Sequence, residues 1–224
     1  MSLSVTYSVF PLTNYSFGAK EPRHERDGSV EQRLARLRSG FERDGMRRSV
    51  EGVLIVHEHN HPHVLLLQLA PSFFKLPGGR LRPGEDEREG LKRKLGNSLS
   101  PSNPLLQSVW DVGEVAGQYW RPNFDTLFYP YNPPHVSRPK ECKKVFVVPL
   151  PEKAMFAVPR NMRLVAVPLF ELYDNISRFG PVISALPVLL SKFRLTLVVP
   201  LPSISISSLE AAAQQQPVAE EMKA

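Results

Sequence analysis

Hydrophobic positions recur along this chain with distinct periods, and each period predicts an element. Val5 to Phe10 alternates as a short strand does. Val30, Leu34, Leu37 and Phe41 recur at helical spacing and predict a helix over Ser29 to Arg43. Ser29 and Gln32 stand at capping-box separation at its start, and Asp44-Gly45 closes it. Arg33, Arg36 and Arg43 fall off the apolar stripe. Val50–Val56 and His63–Leu69 are apolar, β-branched runs, predicted to pair as a hairpin through His59-Asn60-His61-Pro62. A Pro77-Gly78-Gly79 loop then leads into a helix from about Glu85 to Leu99, acidic at its start and basic at Lys92, Arg93 and Lys94, as the helix dipole favours. From Val109 onward strands alternate with proline-rich loops, Val145–Val148 and Leu164–Val167 being the clearest strands. Pro181 to Phe193 predicts a last helix, with Pro181 in its first turn and Pro187 limiting its length. From Leu195 the pattern dissolves into a Ser/Pro-rich and then Ala/Gln/Glu-rich tail, expected to lie outside the core as a disordered segment. No internal repeat is visible.

Composition narrows this picture modestly. The chain has 224 residues, enough for one domain with a large core, and 42% of them are hydrophobic and 22% charged. Twenty-two prolines predict many loops, and a net charge of +6 fits an anionic partner. The single cysteine, Cys142, excludes an internal disulfide and points to a reducing compartment. The N-terminus lacks the charged start and long apolar core of a signal peptide, and no run reaches the roughly 18 apolar residues of a membrane helix.

The chemistry sits in residues 74–100, FKLPGGRLRPGEDEREGLKRKLGNSLS. Gly79, Glu85, Arg93 and Leu95 fall on the register of the Nudix hydrolase signature, G-x5-E-x7-R-E-U-x-E-E-x-G-U, with U aliphatic. The three glutamate slots after the arginine hold Lys94, Asn97 and Ser98, and the later glycine slot holds Ser100. Magnesium in nucleotide enzymes is held by carboxylates together with substrate phosphates. Exchanging three negative charges for one positive one repels such an ion. Glu85, Glu87 and Glu89 remain, but they occupy the acidic first turn that helices favour.

Longer segments carry a more specific likeness. YSVFPLTNYSFGAKEP (7–22), MRRSVEGVLIVHEHNHPHVLLLQL (46–69), FFKLPGGRLRPGEDEREGLKRKL (73–95), YWRPNFDTLFYPYNPPHVSRPKECKKVFVVPL (119–150), EKAMFAVPRNMRLVAVPLFELYDN (152–175) and GPVISALPVLLSKF (180–193) resemble the small, Nudix-like subunit of pre-mRNA cleavage factor Im. The resemblance implies an α/β fold: a Nudix α/β/α sandwich with a mixed sheet, plus an N-terminal strand-helix extension. It divides the chain into an extension over 1–48, a Nudix-like domain over 49–194 and a divergent tail over 195–224. It also implies a nuclear, non-enzymatic protein that binds pre-mRNA containing UGUA, forms a homodimer and recruits a larger cleavage factor Im subunit carrying an RNA-recognition domain. Poly(A) polymerase is a further candidate partner. No cofactor, metal or membrane is implied. Two departures stand out. The tail is unlike the family's short ending, and Asn97 fills a slot where the family often keeps a glutamate.

The residues matching the family's RNA site are Glu25, Arg33, Glu51, Phe73, Phe74, Phe179 and Gly180. Single-stranded RNA is read by stacking bases on aromatic rings and bonding their edges. Arg33 can donate to base carbonyls, Glu25 and Glu51 can accept from base N–H groups, and Phe73 can offer a stacking face. Phe179 stands where the family commonly has tyrosine and lacks that hydroxyl. On residue type alone Phe73 belongs to a core and Arg33 to a solvated helix face; only the resemblance singles them out.

Competing readings remain at this level. A residual Nudix hydrolase, or a nucleotide-binding protein, for dinucleoside polyphosphates or capped RNA would use Glu85, Glu87 and Glu89. A protein-binding scaffold would have lost RNA contact. His57, His59, His61 and His63 alternate in a way that suggests metal ligands, but the turn at 59–62 breaks their common face and favours a surface hairpin. Lys140, Lys143 and Lys144 could lower the pKa of Cys142, although an idle thiol beside a strand is favoured.

Overall fold

In the computed structural model, which describes residues 5–23 and 27–199, the two long apolar runs fold back on each other through His59 and Asn60 alone, with φ of 50° and 62°. Two successive positive-φ residues match the twist of paired strands, so the loop is tighter than the four residues expected. In chain order the elements are β1 (Thr6–Val9), β2 (Tyr15–Lys20), α1 (Val30–Asp44), β3 (Arg47–Glu58), β4 (His61–Ala70), β5 (Phe73–Lys75), β6 (Gly78–Arg80), α2 (Glu87–Leu99), β7 (Val115–Arg121), β8 (Glu141–Val148), β9 (Ala154–Pro159), β10 (Arg163–Pro168), α3 (Leu169–Leu172), α4 (Ile176–Ser184), α5 (Leu186–Leu190) and β11 (Arg194–Leu197).

The main sheet runs β10-β4-β3-β8-β7, with β5 added to β4 and β6 to β3. β3 and β8 are parallel while β4, β7 and β10 join antiparallel, so the sheet is mixed. Its central strands read as continuous apolar runs because both faces are covered. Val53, Ile55, Val64, Leu66, Val145 and Val147 face one core with Val182, Leu186 and Leu190 of the C-terminal helices. Leu54, Val56, Leu65, Leu67, Phe146 and Val148 face the other, against Leu91, Leu95 and Leu99 of α2. The period of two along each strand thus builds two layers.

Three differences from the sequence reading have physical causes. The segment from Arg194 to Leu197 is not tail: β11 lies parallel to β1, and Val198 N–H donates to Val9 O at 2.8 Å. Only Leu195 and Leu197 mark it, and its partner lies at the other end of the chain. The remainder of the proposed tail, from residue 200, lies outside the described residues. The last helix starts earlier, at Ile176, and breaks at Gly180, whose φ of 78° and ψ of 168° are not helical. Pro187 stands in the first turn of a separate short helix rather than inside a long one. The N-terminal extension holds two strands, not one; β2 pairs parallel with β9.

α1 forms as expected, with Ser29 Oγ accepting from Gln32 N–H at 3.2 Å. Gln32 Oε1 reaches back to Gly28 N–H at 2.8 Å, one residue before the usual capping-box position. Of its stripe, Leu37 is buried and Val30 is half exposed. The helix therefore borders a hollow instead of sealing a core.

Candidate functional site

Gly78 positions the wall of that hollow. Its φ is +150°, and a Cβ there would come within 2.2 Å of Val50 O. Only a glycine lets β6 lie this close against β3 at Glu51, its register partner. Glu51 is thereby held within β3 between β6 and β8, lining the same hollow as Phe73 and Phe74 of β5.

A pocket of about 310 Å³ opens there. Arg33, Glu51, Phe73, Phe74, Phe179 and Gly180 all line it, so every candidate residue the structure describes falls at one place. Glu25 lies outside the described residues. The aromatic residues differ in what they can do. Phe73 is 46% exposed and offers its ring to solvent. Phe74 and Phe179 are buried against each other, with centroids 5.0 Å apart, and Arg178 lies over both rings. They form a floor; Phe73 is the free face. Gly180 breaks α4 directly after Phe179, which turns the following Pro181-Val182-Ile183 stretch along the pocket.

Its charges are arranged in two tiers. Glu51 Oε1 accepts from Lys143 Nζ at 2.6 Å, and among the described residues its Oε2 has no hydrogen-bond donor. The guanidinium of half-buried Arg33 makes no hydrogen bond or ion pair among the described residues, although its charge acts on Asp27. Beneath them lies a buried network. Glu141 accepts from Ser49 Oγ at 2.7 Å and Arg121 Nε at 3.1 Å, with Arg47 at 4.0 Å. Burial pushes the Glu141 carboxyl up, but Arg47, Lys143, Ser49 and Arg121 more than offset this and hold it below its ordinary range. Arg121 and Lys143 also stack over Phe128, at 4.1 and 4.8 Å from its centroid. Five cations (Arg33, Arg47, Lys75, Arg121, Lys143) face two carboxylates (Glu51, Glu141), so the lining is net positive.

Sequence reasoning missed Arg47, Arg121, Phe128, Glu141 and Lys143 as pocket residues. A usable signal exists: Glu141 and Lys143 alternate into the apolar run Val145–Val148, and charges on such a strand need partners.

The degenerate Nudix helix lies elsewhere and is fully employed. Asp86 caps it, accepting from Arg88 and Glu89 N–H. Glu85 accepts from Nε and Nη2 of Arg93, each at 2.6 Å, Glu87 is shared by Arg48 and Lys144, and Glu89 binds Lys92. In the altered slots, Lys94 lays its stem over Gly79, Ser98 is buried, and the Asn97 and Ser100 carbonyls accept from Lys20. Ser100 Oγ accepts from Trp110 Nε1. This donor set does not fit a magnesium ion: each remaining glutamate is committed to a cation. Among the described residues no cluster of three His, Cys, Asp or Glu side chains could hold a metal. His57 and His63 are buried, their rings bonded to the carbonyls of Val198 and His61. Cys142 is also buried, and burial pushes its thiol up against the smaller opposing effects of Gln118 and Lys144, contrary to the lowering its flanking lysines suggest.

The Arg93 hydrogen bonds, with the Arg82 N–H, hold Glu85 at about 2 rather than its usual 4.5. The pair therefore stabilises the fold fully above about pH 4.5 and is lost as pH falls toward 2. Glu85→Gln is expected to cost about 1 kcal/mol at neutral pH, the scale of a bidentate, part-buried ion pair near the surface. Thermal melts at neutral pH and below pH 4 check this: the gap to the parent protein should shrink in acid, and a constant gap contradicts the assignment.

Comparison with known proteins points in one direction. The Nudix family model described as nucleotide hydrolase matches residues 5–193. The pre-mRNA cleavage factor Im 25 kDa subunit 2 of Arabidopsis thaliana is 56% identical over 198 residues, covering 88% of this chain and 99% of its own length. The cleavage and polyadenylation specificity factor subunit 5 of Dictyostelium discoideum is 50% identical, covering 81% of this chain and 90% of its own. The pre-mRNA cleavage factor Im 25 kDa subunit 1 of A. thaliana is also 50% identical, covering 85% and 86%.

Proposed function

The chain belongs to the family of Nudix-like 25 kDa subunits of pre-mRNA cleavage factor Im, and on that premise we propose that it reads UGUA elements in pre-mRNA for 3′-end cleavage and polyadenylation without hydrolysing nucleotides. The observation that carries this reading is the convergence of Arg33, Glu51, Phe73, Phe74, Phe179 and Gly180 on one net-positive pocket, away from α2.

Each residue has a role its geometry supports. Phe73 stacks a base on its exposed ring. Arg33, whose guanidinium has no hydrogen-bond acceptor among the described residues, donates to a base carbonyl or to guanine O6 and N7. Glu51 accepts a base N–H on Oε2 while Lys143 keeps its other oxygen in place. Phe74 and Phe179 wall off water, which strengthens the polar contacts. Gly180 lets the strand approach the backbone. Glu25 adds a second acceptor in the same reading. Arg47, Arg121 and Lys143 supply the positive field that attracts the phosphates. A homodimer in the nucleus, joined to a larger subunit with an RNA-recognition domain and in reach of poly(A) polymerase, completes the reading.

Photo-crosslinking with UGUA RNA carrying 4-thiouridine tests the location. Adducts are expected on the Ala70–Phe73 turn and on α1 around Arg33. Adducts confined to α2 would overturn the assignment.

A further inference from the structure

The candidate pocket does not end at Phe73. A hollow of about 430 Å³ shares Arg33 and Phe73 with it and passes over Leu69 and Ala70. A third hollow of about 410 Å³ shares Leu69 and Ala70 and ends on Arg160 and Arg163. The sheet explains this continuity. Phe73 on β5 pairs with Ala70 on one edge of β4, and Arg163 on β10 pairs with Gln68 on the other. Two strand spacings, about 10 Å, therefore separate the backbone at Phe73 from that at Arg163.

The far end differs in character from the pocket. Its described lining contains no carboxylate, whereas the pocket has Glu51 and Glu141. Arg160 and Arg163 are exposed, and among the described residues neither guanidinium makes a hydrogen bond or ion pair. The turn that carries them is fixed: Asn161 Oδ1 accepts from Arg23 N–H at 3.0 Å and its Nδ2 donates to Arg23 O at 2.8 Å. Uncommitted cations beside a held turn, with no carboxylate in the described lining to repel phosphates, suit backbone contacts more than base reading.

We propose that this track carries the single-stranded RNA flanking the recognised element, with Arg160 and Arg163 gripping its phosphates without regard to sequence. The proposal rests on the RNA-binding reading above. It makes the footprint longer than UGUA on one side.

The test titrates the full chain with a UGUA oligonucleotide alone and with about six arbitrary nucleotides added at its 5′ or its 3′ end, a length one binding platform can engage. One of the two extensions should tighten wild-type binding about ten-fold at low salt. The Arg160→Ala/Arg163→Ala variant should lose that gain, keep its affinity for the bare core, and keep its preference for UGUA over a scrambled core. Its slope of log affinity against log salt on the extended RNA should fall by about 1.4, at roughly 0.7 for each single-strand phosphate contact. If neither extension tightens binding, or the variant retains the whole gain, the track is wrong while the base-reading pocket stands. If wild type ignores the core sequence yet shows an extension gain that the variant loses, the track stands and the base reading fails. Failure to bind any of these RNAs overturns both.

Discussion

Replacing Glu141 by alanine is expected to cost about 3–5 kcal/mol of folding stability, because it leaves buried cations without their counter-charge. The Glu141 and Arg121 side chains are only 7% and 9% exposed, and Arg47 stands 4.0 Å away. Two positive groups that now share one carboxylate would repel each other under the pocket. Urea denaturation measures the loss directly. A second variant separates charge from packing: Arg121→Met added to Glu141→Ala should recover part of the stability, since removing a buried pair costs less than breaking it. A loss under about 1 kcal/mol for Glu141→Ala would show that solvent reaches this network and that its charges are not buried together beneath the pocket.

The second large effect concerns recognition. Arg33→Ala should cost about 1–3 kcal/mol toward UGUA and narrow the preference over an RNA changed at one base, because a base-edge bond is lost. Phe73→Ala should cost a similar amount but weaken both RNAs together, since every base has a face to stack. Among the described residues the Arg33 guanidinium makes no hydrogen bond or ion pair, and Phe73 is half exposed, so neither substitution should disturb the fold by more than about 0.5 kcal/mol. Titrations at one fixed salt concentration compare the two, because phosphate contacts make affinity salt-dependent. Equal loss of selectivity in both variants would refute the division of roles.

Much of the fold was legible because its central strands carry their own signal. The runs around Val53–Val56 and Val64–Leu67 are apolar on both faces, α1 has an explicit start at Ser29, and α2 has an acidic first turn. The edge pairings were not legible. β2 buries only Tyr15, β11 only partly buries Leu195 and Leu197, and both find partners far along the chain, so little local marks them. Gly180 hid the start of α4 in the same way, since a break there depends on the packing of Phe179 below it.

The candidate site divides along a similar line. Lys94, Asn97 and Ser98 can be read directly against the Nudix register, and the burial of Ser98 and the bond from Lys20 to the Asn97 carbonyl agree with a structural role for α2. The pocket residues come from α1, β3, β5 and α4, and no spacing along one element joins them. Only a likeness to the whole family could select Arg33 and Phe73, while Glu141 and Arg121 become visible once the sheet brings β7 and β8 together.

The central claim is sequence-specific RNA recognition by this pocket. It is tested most directly by titrating the wild-type chain with a UGUA oligonucleotide and a scrambled one of the same length and composition, at one salt concentration. The account predicts at least a ten-fold preference for UGUA, the equivalent of about 1.4 kcal/mol. Equal affinity for the two RNAs would contradict it.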